Sequence, residues 1–179
     1  MALLINMLKL VTILALPYLA FADYAASGTQ ILSFNIVSDT NTWVLGPSKP
    51  TGGFAVQVSS PPSAWTASIP GAIWIWDNES VTKPTNDQLC FFFKEFSIQG
   101  QPVSGIYQIA SDNSGWTTIN GQPSNCDSAG FVNTGQRSCN VTSLLKSGIN
   151  AIQVTVLNAG QIGGNPAGLL FKLTVMHKL

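Results

Sequence analysis

Charge is what this chain has least of. Asp, Glu, Lys and Arg make up 9% of its 179 residues, eight acidic against eight basic, where an ordinary soluble domain carries about 25%. With no basic stripe there is nothing to neutralise a phosphate backbone, so nucleic acid is not an expected partner. Histidine is almost as scarce. His177 is the single one; two residues from the C-terminus, it reads as a frayed terminal side chain, leaving a Ser/His/Asp or Cys/His arrangement without a base. Glu79 and Glu95 are the only glutamates. Asp77 and Glu79 share one side of an extended segment instead of flanking a cleft as paired glycosidase carboxylates do, and they read as a solvated loop before Val81. No glycine-rich phosphate loop, HExxH or zinc-type Cys/His spacing occurs. Without an acid, base and nucleophile set, neither an enzyme nor a cofactor is expected.

Long apolar runs are confined to the start. Lys9 precedes the run Leu10–Ala20, and Ala20 and Ala22 flank Phe21. That is the basic, apolar and A-x-A order of a secretory leader, with an uncleaved anchor or an assembly helix as the alternative. Pro17 and the shortness of the run argue against a span, which needs about 20 apolar residues, and none is expected in the mature chain. Residues 1–22 therefore read as a signal peptide, and the protein as secreted, extracellular or on the cell surface. Residues 23–179 are the size of a single domain. Its sparse charge gives little repulsion against self-association.

Cysteines are few: Cys90, Cys126 and Cys139. Export favours oxidation, and Cys126 and Cys139 bracket a polar, glycine-containing stretch that a bridge would close. Cys90 lies in the apolar run LCFFF and reads as a small buried hydrophobe, with an intermolecular bond as the alternative.

Helical periodicity is also missing after the leader, and period-two alternation replaces it. Leu32, Phe34 and Ile36 alternate with Ser33, Asn35 and Val37; Phe54, Val56 and Val58 with Ala55 and Gln57; Ile73 and Ile75 with Trp74 and Trp76. Ile152, Val154 and Val156 follow the same rule, as do Leu169, Phe171, Leu173 and Val175. Pro47–Pro50 with Gly52–Gly53, Pro61–Pro62 and Pro70–Gly71 read as loops. Asn120–Gly121 is the dipeptide of a type I′ hairpin turn, and Gly148 suits the left-handed end of the short turn Val141–Lys146. Many short strands without intervening helices predict an all-β sandwich or jelly roll.

Several ordered segments carry a resemblance: WTASIPGAIWIWD, CFFFKEFSI, IYQIASDNSGWTTINGQ, NVTSLLKSGINAIQVTVLN and PAGLLFKLTV. Over Trp65–Val175 the chain resembles the galactose-binding-domain-like β-sandwiches of secreted carbohydrate-binding and accessory domains. The expected organisation is a leader (1–22), an N-terminal arm with extra strands (23–63) and the sandwich (64–179). The resemblance implies a DN turn followed by an NG hairpin. It also implies a structural calcium near the loops, for which Asp112 and Asn113 supply oxygens. On their own these two residues read as turn formers, and no metal is assigned.

Aromatic residues are the better functional candidates, since sugars stack apolar C–H faces on flat rings while polar neighbours bond the hydroxyls. Trp43 lies in the polar run SDTNTW, and Trp116 follows Asp112 and Asn113; Trp116 reads equally as a platform or as packing. At least one of Trp65, Trp74 and Trp76 is expected in the core, together with Phe91 to Phe93 and Phe96. Two sequons, at Asn78 and Asn140, mark candidate N-glycosylation sites. The terminal HKL departs from a peroxisomal address at its first residue and contradicts the leader.

The leading expectation is a non-enzymatic extracellular structural module. It would self-associate into a surface layer or fibre, as a homo-oligomer or filament, with Leu32, Phe34 and Ile36 on an arm that pairs with a neighbour's sheet edge. A secreted carbohydrate-binding module of lectin type is the alternative, using Trp43, Trp116, Asp112 and Asn113.

Overall fold

Alternating sequence becomes alternating strand in the computed structural model, which describes residues 29–79, 88–160 and 165–179. In chain order the strands are β1 (Ile31–Val37), β2 (Trp43–Gly46), β3 (Lys49–Phe54), β4 (Val56–Gln57), β5 (Ile75–Trp76), β6 (Gln88–Ile98), β7 (Gln101–Asp112), β8 (Ser114–Ile119), β9 (Gln122–Pro123), β10 (Arg137–Asn140), β11 (Gly148–Asn158) and β12 (Gly168–Lys178). They form two antiparallel sheets. Sheet A runs β10-β7-β12-β5-β4, with β1 also on β12; sheet B runs β3-β2-β6-β11-β8-β9. The leader expected at residues 1–22 lies outside the described residues, among which no helix is long and apolar enough to cross a membrane.

The core fills the space between the sheets. Val44, Phe92, Ile152, Val154 and Val156 from sheet B meet Tyr107, Ile109, Phe171, Leu173 and Val175 from sheet A. Thr117 on β8 donates to the buried Tyr107 hydroxyl at 3.1 Å, which joins the two layers across the core. Lys94, on the inward row of β6, donates to the Val37 carbonyl at 3.0 Å and pairs with Asp39, which ties β6 to the end of β1. Asn120 and Gly121 both take positive φ, 53° and 77°, and turn β8 into β9 as the type I′ pattern requires.

Tertiary packing changes several local expectations. The alternating run Phe54–Val58 is not one strand: Phe54 ends β3 in sheet B, Ala55 is buried at the corner, and Val56 starts β4 in sheet A. Pro47–Gly53 is not all loop, because β3 pairs with β2 as an edge strand, where Pro50 costs no ladder bond on the solvent side. The DN pair does not form a hairpin within one sheet. Asp112 ends β7 in sheet A and Ser114 starts β8 in sheet B, so Asn113 carries the chain between layers.

Asp77 is buried rather than solvated. Its Oδ2 accepts from the Ser48 N–H at 2.7 Å and its Oδ1 from Asn78 at 2.9 Å, which fixes the β2–β3 turn. Nor is His177 frayed. It is buried with its ring edge-on to Phe34 at 5.6 Å and its Nδ1 bonded to the Gln99 carbonyl. The N-terminal segment pairs, residue for residue, with β12 of its own chain, and Phe34 and Ile36 pack against the core. The first four strands therefore belong to both sheets of the sandwich.

Cys126 and Cys139 form a disulfide that ties the loop between them to edge strand β10. Cys90 is buried, and burial, reinforced by the neighbouring Asp77, pushes its thiol well above the usual cysteine range. The intermolecular Cys90 bond thus has no exposed thiolate to form from. Changing Cys126 and Cys139 together to Ser is expected to lower the unfolding free energy by about 3 kcal/mol, the closure term for a loop of this length, read as a lower urea midpoint. A loss below about 1 kcal/mol would show that the loop is held closed without the bridge.

Candidate functional site

The two outward faces of the sandwich differ in chemistry. On sheet A the register aligns Asn35, Thr174, Ile106 and Asn140 in one row, and Val37, Lys172, Gln108 and Ser138 in the next. These rows are mainly polar, with Ile106 the exposed apolar side chain among them. On sheet B the corresponding row reads Phe54, Trp43, Phe93, Gln153 and Thr118, and its neighbour Leu45, Phe91, Thr155 and Trp116. Phe54 is 60% exposed, Trp43 42%, Phe93 37% and Trp116 43%. Large rings held half in water on a well-ordered sheet are not explained by core packing.

Local sequence explains how Trp43 is held. The opposite strand carries Gly52 at a φ of 80°, and a Cβ there would lie 2.5 Å from the indole. The ring therefore lies against bare backbone, as aromatic residues do when they cover a strand glycine. Phe54 meets it edge to face at 5.7 Å. One side of Trp43 is thus fixed, and the exposed remainder is a pre-positioned flat surface. Beside it, Asn41, Trp43, Phe93, Lys94 and Glu95 line a depression of about 470 Å³. Lys94 is already committed to Asp39 and Val37, which leaves the Asn41 amide and the Glu95 carboxylate as polar groups beside two rings.

Strand spacing sets the size of the platform. Trp43 and Trp116 lie three strands and two residues apart, roughly 16 Å at about 4.8 Å per strand and 3.4 Å per residue. Phe91, Phe93, Gln153 and Thr155 occupy the ground between them. A surface of that length suits several linked sugar rings better than one.

The residues named from sequence divide accordingly. Trp43 and Trp116 reach the same face; Asp112 and Asn113 do not. Asp112 is buried, its Oδ2 accepting from the Trp65 indole N–H at 2.8 Å, and Asn113 uses its Oδ1 on the Ala159 N–H at 2.7 Å. Asp112 acts inside the fold, and the Asn113 Oδ1 is spent on the crossing between the sheets instead of facing a sugar on Trp116. Among the described residues no three His, Cys, Asp or Glu side chains gather as metal ligands. Trp65, Trp74 and Trp76 are all core. Of the phenylalanines expected inside, Phe92 and Phe96 are buried, Phe91 is half-buried and Phe93 faces out. Phe54, Phe93, Asn41 and Glu95 do not stand out as site residues in the sequence. A signal for Phe93 is nonetheless there, because strict alternation from buried Cys90 and Phe92 puts it on the other side.

Asp112 also yields a pH dependence. Burial pushes its carboxyl up to about 6, against the lowering effect of the Trp65 hydrogen bond. A carboxyl that binds its proton more tightly folded than unfolded favours the folded state as pH falls through that value, and disfavours it above. The contribution develops between about pH 6 and pH 4. Asp112→Asn keeps an oxygen for the Trp65 N–H and removes the titration. The difference in melting temperature between the parent and this variant is therefore expected to shift in favour of the parent from pH 7 to pH 4.5. A pH-independent difference would contradict the assignment.

No family model and no curated protein matches the sequence. Solved structures do share the fold. An FMN-binding β-glucuronidase from Facaelibacterium prausnitzii L2-6 aligns with a TM-score of 0.52 at 14% identity, over 82% of this chain and 23% of that one. An α-L-rhamnosidase from Streptomyces avermitilis, complexed with L-rhamnose, aligns at 0.49 and 21% identity over 75% and 13% of the two chains. A family 35 carbohydrate binding module from Clostridium thermocellum aligns at 0.42 and 15% identity over 78% and 97%. The chain thus spans less than a quarter of the β-glucuronidase it matches. At these identities the likeness concerns architecture alone: the chain is an all-β sandwich of two antiparallel sheets, consistent with the galactose-binding-like fold that its sequence motifs resemble.

Proposed function

We propose that this protein is a secreted, non-catalytic carbohydrate-binding module that holds an extended, uncharged glycan across the outer face of sheet B. The observation that carries the reading is the depression lined by Trp43 and Phe93 together with Asn41, Lys94 and Glu95. Rings take the apolar C–H faces of pyranoses, and the amide and carboxylate take their hydroxyls. Glu95 and the paired Lys94 favour a neutral ligand, because among the described residues no free cation lines the depression to meet a uronate or sulfate. Hydrolysis needs a second carboxylate some 5–10 Å across the sugar. Among the described residues Glu95 is the only one lining this depression, and nearby Asp39 is held by Lys94. The Cys126–Cys139 bridge fits an oxidising, extracellular compartment. Asn140 is exposed and its Oδ1 accepts from both the N–H and the hydroxyl of Thr142, so it is the more accessible sequon; the Asn78 amide is engaged with Ser48 and Asp77.

Calorimetric titration with neutral oligosaccharides of increasing length tests the function. Affinity is expected to rise with chain length until the ligand spans Trp43 to Trp116 and then to level off. Absence of binding to every neutral glycan on a broad array would reject the proposal. A second reading, a self-associating structural module, draws on a different observation: β1 is a sheet-edge strand with no charged residue.

A further inference from the structure

We infer that the free edge of β1 is a docking strand for β1 of a second copy, giving a closed two-fold dimer in which sheet A continues from one molecule into the other. The inference rests on the self-association reading and names its partner, surface and register. Edge strands are normally protected by shortness, proline, charge or a covering segment. Among the described residues the other edges follow that rule. β3 carries Lys49 and Pro50, β4 is two residues long, β9 is two residues including Pro123, and β10 is four residues with Arg137 and the disulfide at Cys139. β1 is seven residues long, ILSFNIV, and among the described residues has none of these devices.

Hydrogen-bond parity shows which groups are on offer. The Leu179 N–H bonds the Gln30 carbonyl and the Ser38 N–H bonds the Phe171 carbonyl. In an antiparallel ladder the even-numbered residues of β1 therefore face β12, and the odd-numbered ones face away. At the far end the Val37 carbonyl is taken by Lys94. Among the described residues nothing bonds the backbone N–H and C=O groups of Ile31, Ser33 and Asn35, which form a row at the edge.

A two-fold axis through Ser33 uses that row completely. Ser33 then pairs with its own copy and Ile31 with Asn35 on either side, all at hydrogen-bonded positions, and Val37 keeps its lysine. The same register sets Leu32 against Phe34 of the other copy on the inward side. Leu32 and Phe34 are only half-buried in the single chain, and Phe34 already packs on Phe96 at 6.3 Å. Docking extends the core across the junction and leaves Ser33 and Asn35 on the polar outer face. The contact is isologous, so it closes at two copies and does not propagate a filament. It leaves sheet B of each molecule uncovered, and a dimer presents two aromatic faces to a polymeric ligand, with the gain in avidity that two linked sites bring.

Sedimentation analysis of the protein as secreted, over a wide concentration range, is the test. Ser33→Lys places two ammonium groups opposite each other at the axis. Ser33→Pro deletes an N–H that faces away from β12. The parent is expected to show a concentration-dependent dimer, and each variant to weaken it at least about tenfold (1.4 kcal/mol), with an unchanged circular dichroism spectrum. Ser104→Lys, on the same face but on β7, is expected to dimerise like the parent. A parent that stays monomeric at high concentration overturns self-association altogether. A dimer that survives both Ser33 variants leaves self-association standing and overturns docking through β1.

Discussion

Replacing Trp43 by Ala is expected to weaken glycan binding about thirtyfold or more while leaving the protein folded. The indole is one of two on the proposed platform; it is fixed on one side by Gly52, and it lines the depression with Phe93. A fixed aromatic ring loses little conformational entropy when a ligand settles on it, which is the usual condition for an interface residue worth about 2 kcal/mol or more on truncation. Because Trp43 is 42% exposed, its removal costs little core packing. Uncovering Gly52 and losing the contact with Phe54 account for at most about 1 kcal/mol. Calorimetry with the longest well-bound oligosaccharide, together with a melting curve, separates the two effects. Trp116→Ala, at the far end of the platform, is expected to weaken long ligands more than short ones. Parent-like affinity in Trp43→Ala would remove the face of sheet B from consideration.

Trp74→Ala is expected to lower stability by about 3–5 kcal/mol, the range for truncating a large buried aromatic residue. Its ring lies 4.4 Å from that of Trp65, and both cover Gly168, where an added Cβ would come within 2.6 Å of Trp65 and 3.0 Å of Trp74. Trp65 in turn anchors the Asp112 carboxylate. The layer is a stack in which each member positions the next, so one truncation leaves a cavity and loosens a buried charge. For a chain of this size the melting temperature should fall by about 10 °C. Affinity of the remaining folded protein should be unchanged, because Trp74 is not part of the outer row of sheet B. A stability loss below about 1 kcal/mol would show that the stack collapses onto the gap.

The two variants mark different sources of information. Local repetition is legible in the sequence alone: alternation announces β1, β11 and β12, Asn120–Gly121 announces its turn, and the stretch between Cys126 and Cys139 suggests their bridge. These features depend on neighbours a few residues apart, whose geometry the chain itself imposes. The three consecutive phenylalanines Phe91 to Phe93 show the limit. All three look alike as hydrophobes, but a strand sends neighbours to opposite sides, and only the partner sheet determines which side is dry. The same holds for the tryptophans. Trp74 and Trp76 belong to a segment covered on both sides, whereas Trp43 and Trp116 are on the face that sheet A does not reach.

Period-two patterning and the turn residues are enough to specify an all-β sandwich of antiparallel strands. Which residues share the platform is decided only by tertiary structure. Phe54 and Trp43 come from the β2–β3 pair and Phe93 and Trp116 from strands much later in the chain, and they align because the antiparallel registers of β3, β2, β6, β11 and β8 stack them that way. Burial of Asp77, Asp112 and His177 has the same origin. Each is polar by sequence and reads as exposed or as a turn former. Each is drawn inside because a specific donor or acceptor from a distant segment — the Ser48 N–H, the Trp65 indole, the Gln99 carbonyl — meets it there. Composition cannot encode such pairings, since a buried polar group is tolerated only where another part of the fold supplies its hydrogen bond.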